Sequence, residues 1–186
     1  MIKNTEQFFI DNFTKASALY KEKKFLESLT LYKELLSIKP NQINLLNNIG
    51  LNYEKLKQYD EALNYYERCD QINPNEVIII NNLTNIYCKL ERYIDALPLL
   101  KKVIDSNYQN ESNHEKLAKC LFNTDNRKNT KKFIELALIK FPNNNILNEL
   151  LGKTLLSLNF HKDAIKYLQK GSGLIEFNNK GINYLR

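Results

Sequence analysis

The chain repeats itself at a fixed interval of 34 residues. The segment LLNNIGLNYEKLKQYDEALNYYERCDQINP begins at Leu45, and the similar segment IINNLTNIYCKLERYIDALPLLKKVIDSNY begins at Ile79, 34 positions later. Self-similarity at a constant interval indicates a structural unit that is copied along the chain. The repeat therefore constrains the fold more than any single motif does.

Small residues occupy two fixed positions in rows of 34. The first column consists of Ala16, Gly50, Thr84, Ala118 and Gly152, and the second consists of Ser28, Ala62, Ala96, Thr130 and Ala164. Large apolar residues stand between the two columns at helical spacing. Because small side chains allow two helices to approach closely, each row is predicted to be a helical hairpin.

Helix-breaking residues fall where hairpins need them. Pro40, Pro74 and Pro142 lie between rows, where a helix has to end. Pro98 is expected near the beginning of its helix, where a missing N–H costs little. Gly171 and Gly173 are expected to end the last helix. The tail beyond them predicts either a remnant of a sixth repeat or two short extended pieces around the turn-like stretch NNKG.

These columns, together with the Tyr or Leu between them and the closing Pro, resemble the tetratricopeptide repeat (TPR) family. The resemblance implies an all-α fold, a right-handed superhelical α-solenoid of helix-turn-helix TPR hairpins. The expected domains are an N-terminal extension over 1–8, a five-repeat TPR domain over 9–173 and a C-terminal tail or cap over 174–186. The five rows are 9–42, 43–76, 77–110, 111–144 and 145–173.

The resemblance also implies a concave groove lined by one stripe of the first helix of each row. The predicted partner-binding residues on this stripe are Asn44, Asn47, Asn48, Lys55, Asn81, Asn82, Asn85, Lys89, Lys116, Lys119, Phe122 and Lys153, with Phe13 and Tyr20 as further aromatic contacts. An Asn side chain both donates and accepts, so this stripe is hypothesised to pair with the backbone of an extended peptide. Asn48 and Asn82 recur in one column, which resembles the asparagine ladders of other TPR grooves. The alternative is that the 27 Asn residues reflect the base composition of the genome.

The later rows of this stripe carry charge. Glu115 with Lys119 and Glu149 with Lys153 stand at i, i+4 and are expected either to stabilise their helices or to contact a ligand. Lys116 lacks such an acid and is the better candidate for an acidic group of the partner.

The net charge of +6 is unevenly distributed. Residues 1–110 hold 14 basic and 14 acidic side chains, whereas residues 111–186 hold 13 basic and 7 acidic side chains. The excess either steers acidic partners or belongs to a solvated face. The Lys residues are not interleaved with base-stacking aromatics, so nucleic-acid binding is not expected. Short apolar runs argue against membrane insertion, and a cytoplasmic location is expected.

Motifs for catalysis or metal binding are missing from the sequence. It contains no H-E-x-x-H, G-x-G-x-x-G or Walker-type loop. Cys69 occupies a core column, and His114 and His161 are expected to be solvated. The chain is therefore predicted to be no enzyme and to use no cofactor, metal or small-molecule substrate.

The leading hypothesis is a scaffold or adaptor that binds a partner peptide or helix in the groove. One alternative is a structural module that forms homo-oligomers by stacking through its terminal repeats. The other is an accessory arm of an enzyme complex.

Overall fold

The computed structural model describes residues 2–105, 110–124, 126–172, 175–178 and 181–184, with residues 2–5 and the last two segments described by their backbone alone. Ten helices and a two-stranded hairpin make up the described residues. The helices are α1 (Ile2–Lys21), α2 (Phe25–Ile38), α3 (Ile43–Lys55), α4 (Tyr59–Ile72), α5 (Val77–Lys89), α6 (Tyr93–Asp105), α7 (Glu111–Asn123), α8 (Arg127–Lys140), α9 (Asn145–Ser157) and α10 (His161–Ser172). The strands are β1 (Ile175–Asn178) and β2 (Gly181–Tyr184).

The helices begin at the interval of the sequence repeat. From α3 onwards, the first helices of successive rows begin at positions 43, 77, 111 and 145, and the second helices of all five rows begin at 25, 59, 93, 127 and 161. The first helix of row one is longer, because α1 already begins at Ile2. The predicted α-solenoid of hairpins is confirmed.

The chain divides into two compact units, an N-terminal unit over Met1–Arg92 and a C-terminal unit over Tyr93–Arg186. In the N-terminal unit, each of the helices α1 to α4 packs against the next one along the chain, as far as α5. In the C-terminal unit, α6 to α10 follow the same rule, and α7 also packs against α9. No described helix combines the length and the apolar character that a membrane span needs.

The small-residue columns form the centre of the packing. All ten residues of the two columns are buried. In the N-terminal unit, Gly50 lies against the ring of Tyr66, which is fully buried. In the C-terminal unit, Ala118, Ile134 and Ala164 belong to one apolar cluster. Each hairpin thus buries an apolar stripe that it could not cover alone.

The turn inside four of the hairpins has one repeated geometry. Lys23, Lys57, Glu91 and Asn159 have φ of 63°, 61°, 57° and 65°, in the left-handed region. In each case the next residue donates its N–H to a carbonyl in the last turn of the first helix, as Gln58 does to Tyr53 at 2.9 Å. This is the Schellman arrangement, in which a left-handed residue satisfies the terminal carbonyls.

The left-handed turn predicts opposite effects for glycine at two neighbouring positions. Lys57→Gly should stabilise the fold by about 0.5 kcal/mol, because relief of the left-handed backbone slightly exceeds the added entropy of the unfolded chain. Lys55→Gly, inside α3, should destabilise it by about 0.5–1 kcal/mol, because glycine is a poor helix former. Urea unfolding of both variants measures the difference. Equal shifts would contradict this account of the turn.

The last helix ends at Ser172, between the two glycines that were expected to end it. Gly171 is buried in its last turn, where a Cβ atom would come within 2.5 Å of the backbone nitrogen of Glu149 in α9. Pro98 departs from the prediction, because it lies in the second turn of α6, further into the helix than expected.

The tail forms the extended pieces that were one of its two predicted structures. β1 and β2 pair antiparallel, with Ile175 opposite Tyr184 and Asn178 opposite Gly181. Whether the apolar side chains of the tail cap the stack or dock elsewhere lies outside the described residues.

Candidate functional site

The predicted asparagines of rows two and three lie together in the N-terminal unit. Asn44 is exposed, and the other five, Asn47, Asn48, Asn81, Asn82 and Asn85, are half-buried on α3 and α5. We call this surface, together with the matching positions of α1, the first-helix face. It forms because one stripe of each first helix packs inwards, which leaves the polar stripe at the surface.

One hydrogen bond joins the asparagines of adjacent rows. Asn82 Nδ2 donates to Asn47 Oδ1 at 2.8 Å. The bond connects residues 35 positions apart, so it links neighbouring columns and does not join Asn48 and Asn82 of the same column. It fixes two amide side chains on the first-helix face, since each orients the other.

A half-buried carboxylate, which was not among the predicted residues, organises the end of this face. Glu54 Oε1 pairs with Lys89 Nζ at 2.9 Å, and Glu54 Oε2 accepts from the hydroxyl of Tyr66 at 3.3 Å. The Glu54 side chain is 13% exposed. Burial, followed by the Glu54 charge, raises the pKa of Tyr66. The predicted contact residue Lys89 therefore already has a partner within the chain.

The sequence contains part of the information that would have predicted the contact between Glu54 and Lys89. Glu54 and Lys89 are again 35 positions apart, one repeat plus one residue. That offset depends on how adjacent helices are staggered, which the repeat length does not specify. Lys89 also lies over the ring of Tyr59 at 5.1 Å.

A small cavity opens between α1, α2 and α3 on the same face. Its volume is about 140 Å³, and its lining is Ser17, Tyr20, Lys21, Tyr32, Asn48 and Leu51. The Ser17 and Tyr32 hydroxyls are 2.8 Å apart. Burial is the main cause that raises the pKa values of Tyr20 and Tyr32. Both phenols therefore stay protonated at neutral pH, and the half-buried Tyr20 hydroxyl can hydrogen-bond to a ligand.

Two larger cavities flank Asn44. One of about 220 Å³ is lined by Phe9, Ile10, Phe13, Thr14, Gln42 and Asn44. The other, of about 310 Å³, is lined by Ile43, Asn44, Asn47, Asn73, Glu76, Ile78 and Ile79. Phe13 reaches the first cavity, whereas Tyr20 lies in the smaller one described above. Since Asn44 borders both larger cavities, the face alternates amides with recesses of side-chain size.

The remaining predicted residues, apart from Lys55, belong to the C-terminal unit. Lys119 and Lys153 are exposed, and Lys116 and Phe122 are half-buried. Lys153 pairs with Glu149 at 2.5 Å, as the i, i+4 spacing predicts. The guanidinium of Arg127 covers the Phe122 ring at 4.3 Å. Lys55, in the N-terminal unit, is exposed.

Cys69, a possible nucleophile, and His114, a possible metal ligand, are both buried in the packed interior. Burial raises the pKa of Cys69 to about 11, so its thiol is protonated and unreactive at neutral pH. The expectation that His114 is solvated is wrong: it is 5% exposed, stacks on Phe133 and meets the edge of Phe141. Its Nδ1 lies 2.9 Å from the Asn110 carbonyl oxygen. Within the described ranges, no three His, Cys, Asp or Glu residues could hold a metal ion.

Comparison of the sequence with known families identifies the repeat. Two family models, both described as tetratricopeptide repeat, match residues 43–76 and residues 78–107. No curated protein sequence matches the chain.

Solved structures share the fold at low sequence identity. MamA AMB-1 is 20% identical, with a TM-score of 0.79 over 91% of this chain and 92% of its own. MamA from Desulfovibrio magneticus RS-1 is 17% identical, with a TM-score of 0.82 over 89% of this chain and 94% of its own. YrrB, described as a TPR protein with an unusual peptide-binding site, is 18% identical, with a TM-score of 0.80 over 92% of this chain and 89% of its own.

Proposed function

We propose that this chain, whose residues 43–76 and 78–107 match tetratricopeptide-repeat models and whose fold is that of solved structures such as MamA, is a non-enzymatic scaffold. Its first-helix face binds an extended segment of a partner protein. The observation that carries the proposal is the cluster of six asparagines on α3 and α5, two of which are joined by the bond between Asn47 and Asn82. Stacked hairpins offer a long surface, which suits a polypeptide better than a small molecule.

The chemistry of the face suits a peptide backbone. An extended segment presents unpaired N–H and C=O groups, and asparagine supplies both an acceptor and a donor to them. Such pairing does not depend on the side chains of the segment, whereas the recesses beside Asn44 and Asn48 would select those side chains. Affinity thus comes from the amides and specificity from the recesses.

Three asparagines outside the first-helix face cap helices. Asn110, Asn126 and Asn144 begin α7, α8 and α9, and each side chain accepts a backbone N–H from the first turn. Caps of this kind stabilise helices. Asn44, Asn48 and Asn85 lie inside helices, where asparagine is a poor former. YrrB, whose fold this chain shares, is a precedent because it has a peptide-binding site.

The test is peptide binding by an asparagine-depleted face. Peptides selected by display on the full-length chain would be measured by fluorescence anisotropy with the native chain and with the Asn48→Ala/Asn82→Ala variant. We expect the variant to bind about tenfold more weakly, because it loses two hydrogen bonds of about 0.5–1.5 kcal/mol each. N-methylation of the bound peptide's backbone should weaken binding similarly.

A matched control is Asn64→Ala, which removes an exposed asparagine from α4. It should leave the affinity unchanged. Equal affinities of the native chain and the double variant, with circular dichroism showing both to be helical, would remove the first-helix face as the binding site.

A further inference from the structure

A second surface lies in the C-terminal unit, in the groove between α6 and α8. The groove has a volume of about 380 Å³, larger than the three recesses of the first-helix face. Leu117 and Leu121 of α7 form its floor together with Phe133 of α8. Lys101, Asp105 and Lys132 lie among its remaining lining residues. Its lining is thus apolar, with charged groups beside it, as in ligand and peptide sites generally.

An exposed apolar pair extends this groove along α8. Leu136, which lines the groove, is 58% exposed, and Ile139, one turn further, is 79% exposed. The other rows place charged residues in the column of Leu136, namely Glu34, Arg68, Lys102 and Lys170. In the column of Ile139 they place Ser37, Gln71 and Asp105. In these two columns, row four therefore departs from the other rows towards apolar surface, which the packing of the hairpin does not require.

The first turn of α8 differs in charge from the first turns of the other second helices. The second helices of the other four rows carry an acid there, whereas α8 begins with Arg127, Lys128 and Asn129. Asn129 lines the groove in the column of Glu27, Glu61, Asp95 and Asp163. Basic residues at a helix N-terminus oppose the helix dipole, so this composition lowers the stability of α8. A local departure of that kind is expected where a surface serves binding.

The groove is set in a positive environment. The N-terminal unit has 12 basic and 12 acidic residues, whereas the C-terminal unit has 15 basic and 9 acidic residues, which accounts for the whole net charge of +6. Lys101 and Lys132 are exposed, and neither forms an ion pair with a carboxylate in the part of the chain that the structure describes. Asp105 is the one acid among the groove residues. The surface therefore complements an acidic partner.

The helical walls of the groove favour a helix over an extended strand as the bound segment. Both walls are helices, whose backbone N–H and C=O groups bond within the helix and are not offered to a neighbour. An extended peptide would leave its own backbone groups without partners above the apolar floor. A helix satisfies its backbone internally and can insert one apolar stripe between α6 and α8.

We propose that the α6–α8 groove binds an acidic amphipathic helix of a partner protein. The apolar stripe of that helix covers Leu136, Ile139 and the floor of the groove, and its carboxylates face Lys101 and Lys132. The proposal uses none of the residues of the first-helix face, so either surface can fail without the other.

The experiment uses a labelled model helix of about 20 residues, long enough to be helical, with leucines on one face and glutamates on the other. Its twin carries lysines in place of the glutamates. Fluorescence anisotropy with the full-length chain should show about tenfold or greater preference for the acidic peptide, and the preference should fall with added salt. The Lys101→Glu/Lys132→Glu variant should abolish the preference. Leu136→Ala/Ile139→Ala should weaken the acidic peptide about tenfold.

Matched controls are Lys166→Glu on α10 and Leu26→Ala on α2, both at exposed positions. Both should bind the acidic peptide like the native chain. Equal affinity for the two peptides, or full affinity in the charge-reversed variant, would overturn the proposal. Sedimentation equilibrium showing a dimer that Leu136→Ala/Ile139→Ala dissociates would assign the groove to a second copy instead, and overturn it too. Binding of homopolymeric RNA that depends on Lys101 and Lys132, without peptide binding, would do the same.

Discussion

Replacing Gly171 by valine is expected to detach α10 from the C-terminal unit. A Cβ atom at this position would lie 2.5 Å from Glu149 N and 2.8 Å from Asn145 O. Both are backbone atoms of α9, so neither can rotate away, and the two helices would have to separate. The expected destabilisation is about 3 kcal/mol, at the upper end of the usual cost of overpacking.

Urea unfolding followed by circular dichroism would measure the loss of stability in Gly171→Val, and hydrogen exchange would show which helices are affected. Exchange should accelerate most in α9 and α10, because these two helices pack directly against each other. Lys170→Ala, at an exposed neighbouring position of α10, should leave both measurements unchanged. A native unfolding midpoint in Gly171→Val would mean that α10 is not packed as closely as described.

The contact between Gly50 and Tyr66 predicts a strong coupling in a double-mutant cycle. Tyr66 is fully buried, so Tyr66→Ala should cost about 4 kcal/mol through lost burial and the cavity left behind. Gly50→Ala alone should cost about 2 kcal/mol, because its Cβ would lie 2.6 Å from Tyr66 Cε1. In the Tyr66→Ala background the same change should instead stabilise the chain by about 0.5–1 kcal/mol, since alanine favours a helix over glycine.

The coupling free energy is therefore about 3 kcal/mol, near the upper limit for residues in contact. Tyr66→Phe is the control, because it keeps the ring and removes only the hydroxyl that donates to Glu54. In that background Gly50→Ala should remain destabilising. If Gly50→Ala had the same effect with alanine and with tyrosine at position 66, the ring of Tyr66 would not be the reason for a glycine at position 50.

The architecture could be predicted from the sequence because the repeated small residues mark the positions where helices pack together. The small columns at Gly50 and Ala62 identify where two helices touch, and copying them five times identifies the stack. The turn residues were not predicted, since Lys57 and Glu91 are not the glycine or asparagine that a left-handed conformation favours. There the closing hydrogen bonds outweigh the preference of the residue.

The contacts of the candidate site were less predictable than the faces that carry them. Helical spacing placed Asn47 and Asn82 on one side of their helices, but the pairing between them depends on the stagger of two helices. Glu54 was missed for the same reason. His114 was misjudged because Phe133 and Phe141, which bury it, lie on α8 and just after it, and only packing brings them together.

Within each unit, every helix packs on its neighbour along the chain, and this bears on how the protein reaches its native state. Few of these contacts require the closure of a long loop, so little chain entropy is lost before a contact forms. Folding can therefore start at any one hairpin and spread to those beside it. A chain with such a low contact order is expected to fold quickly, on the scale of helical bundles rather than β-sandwiches.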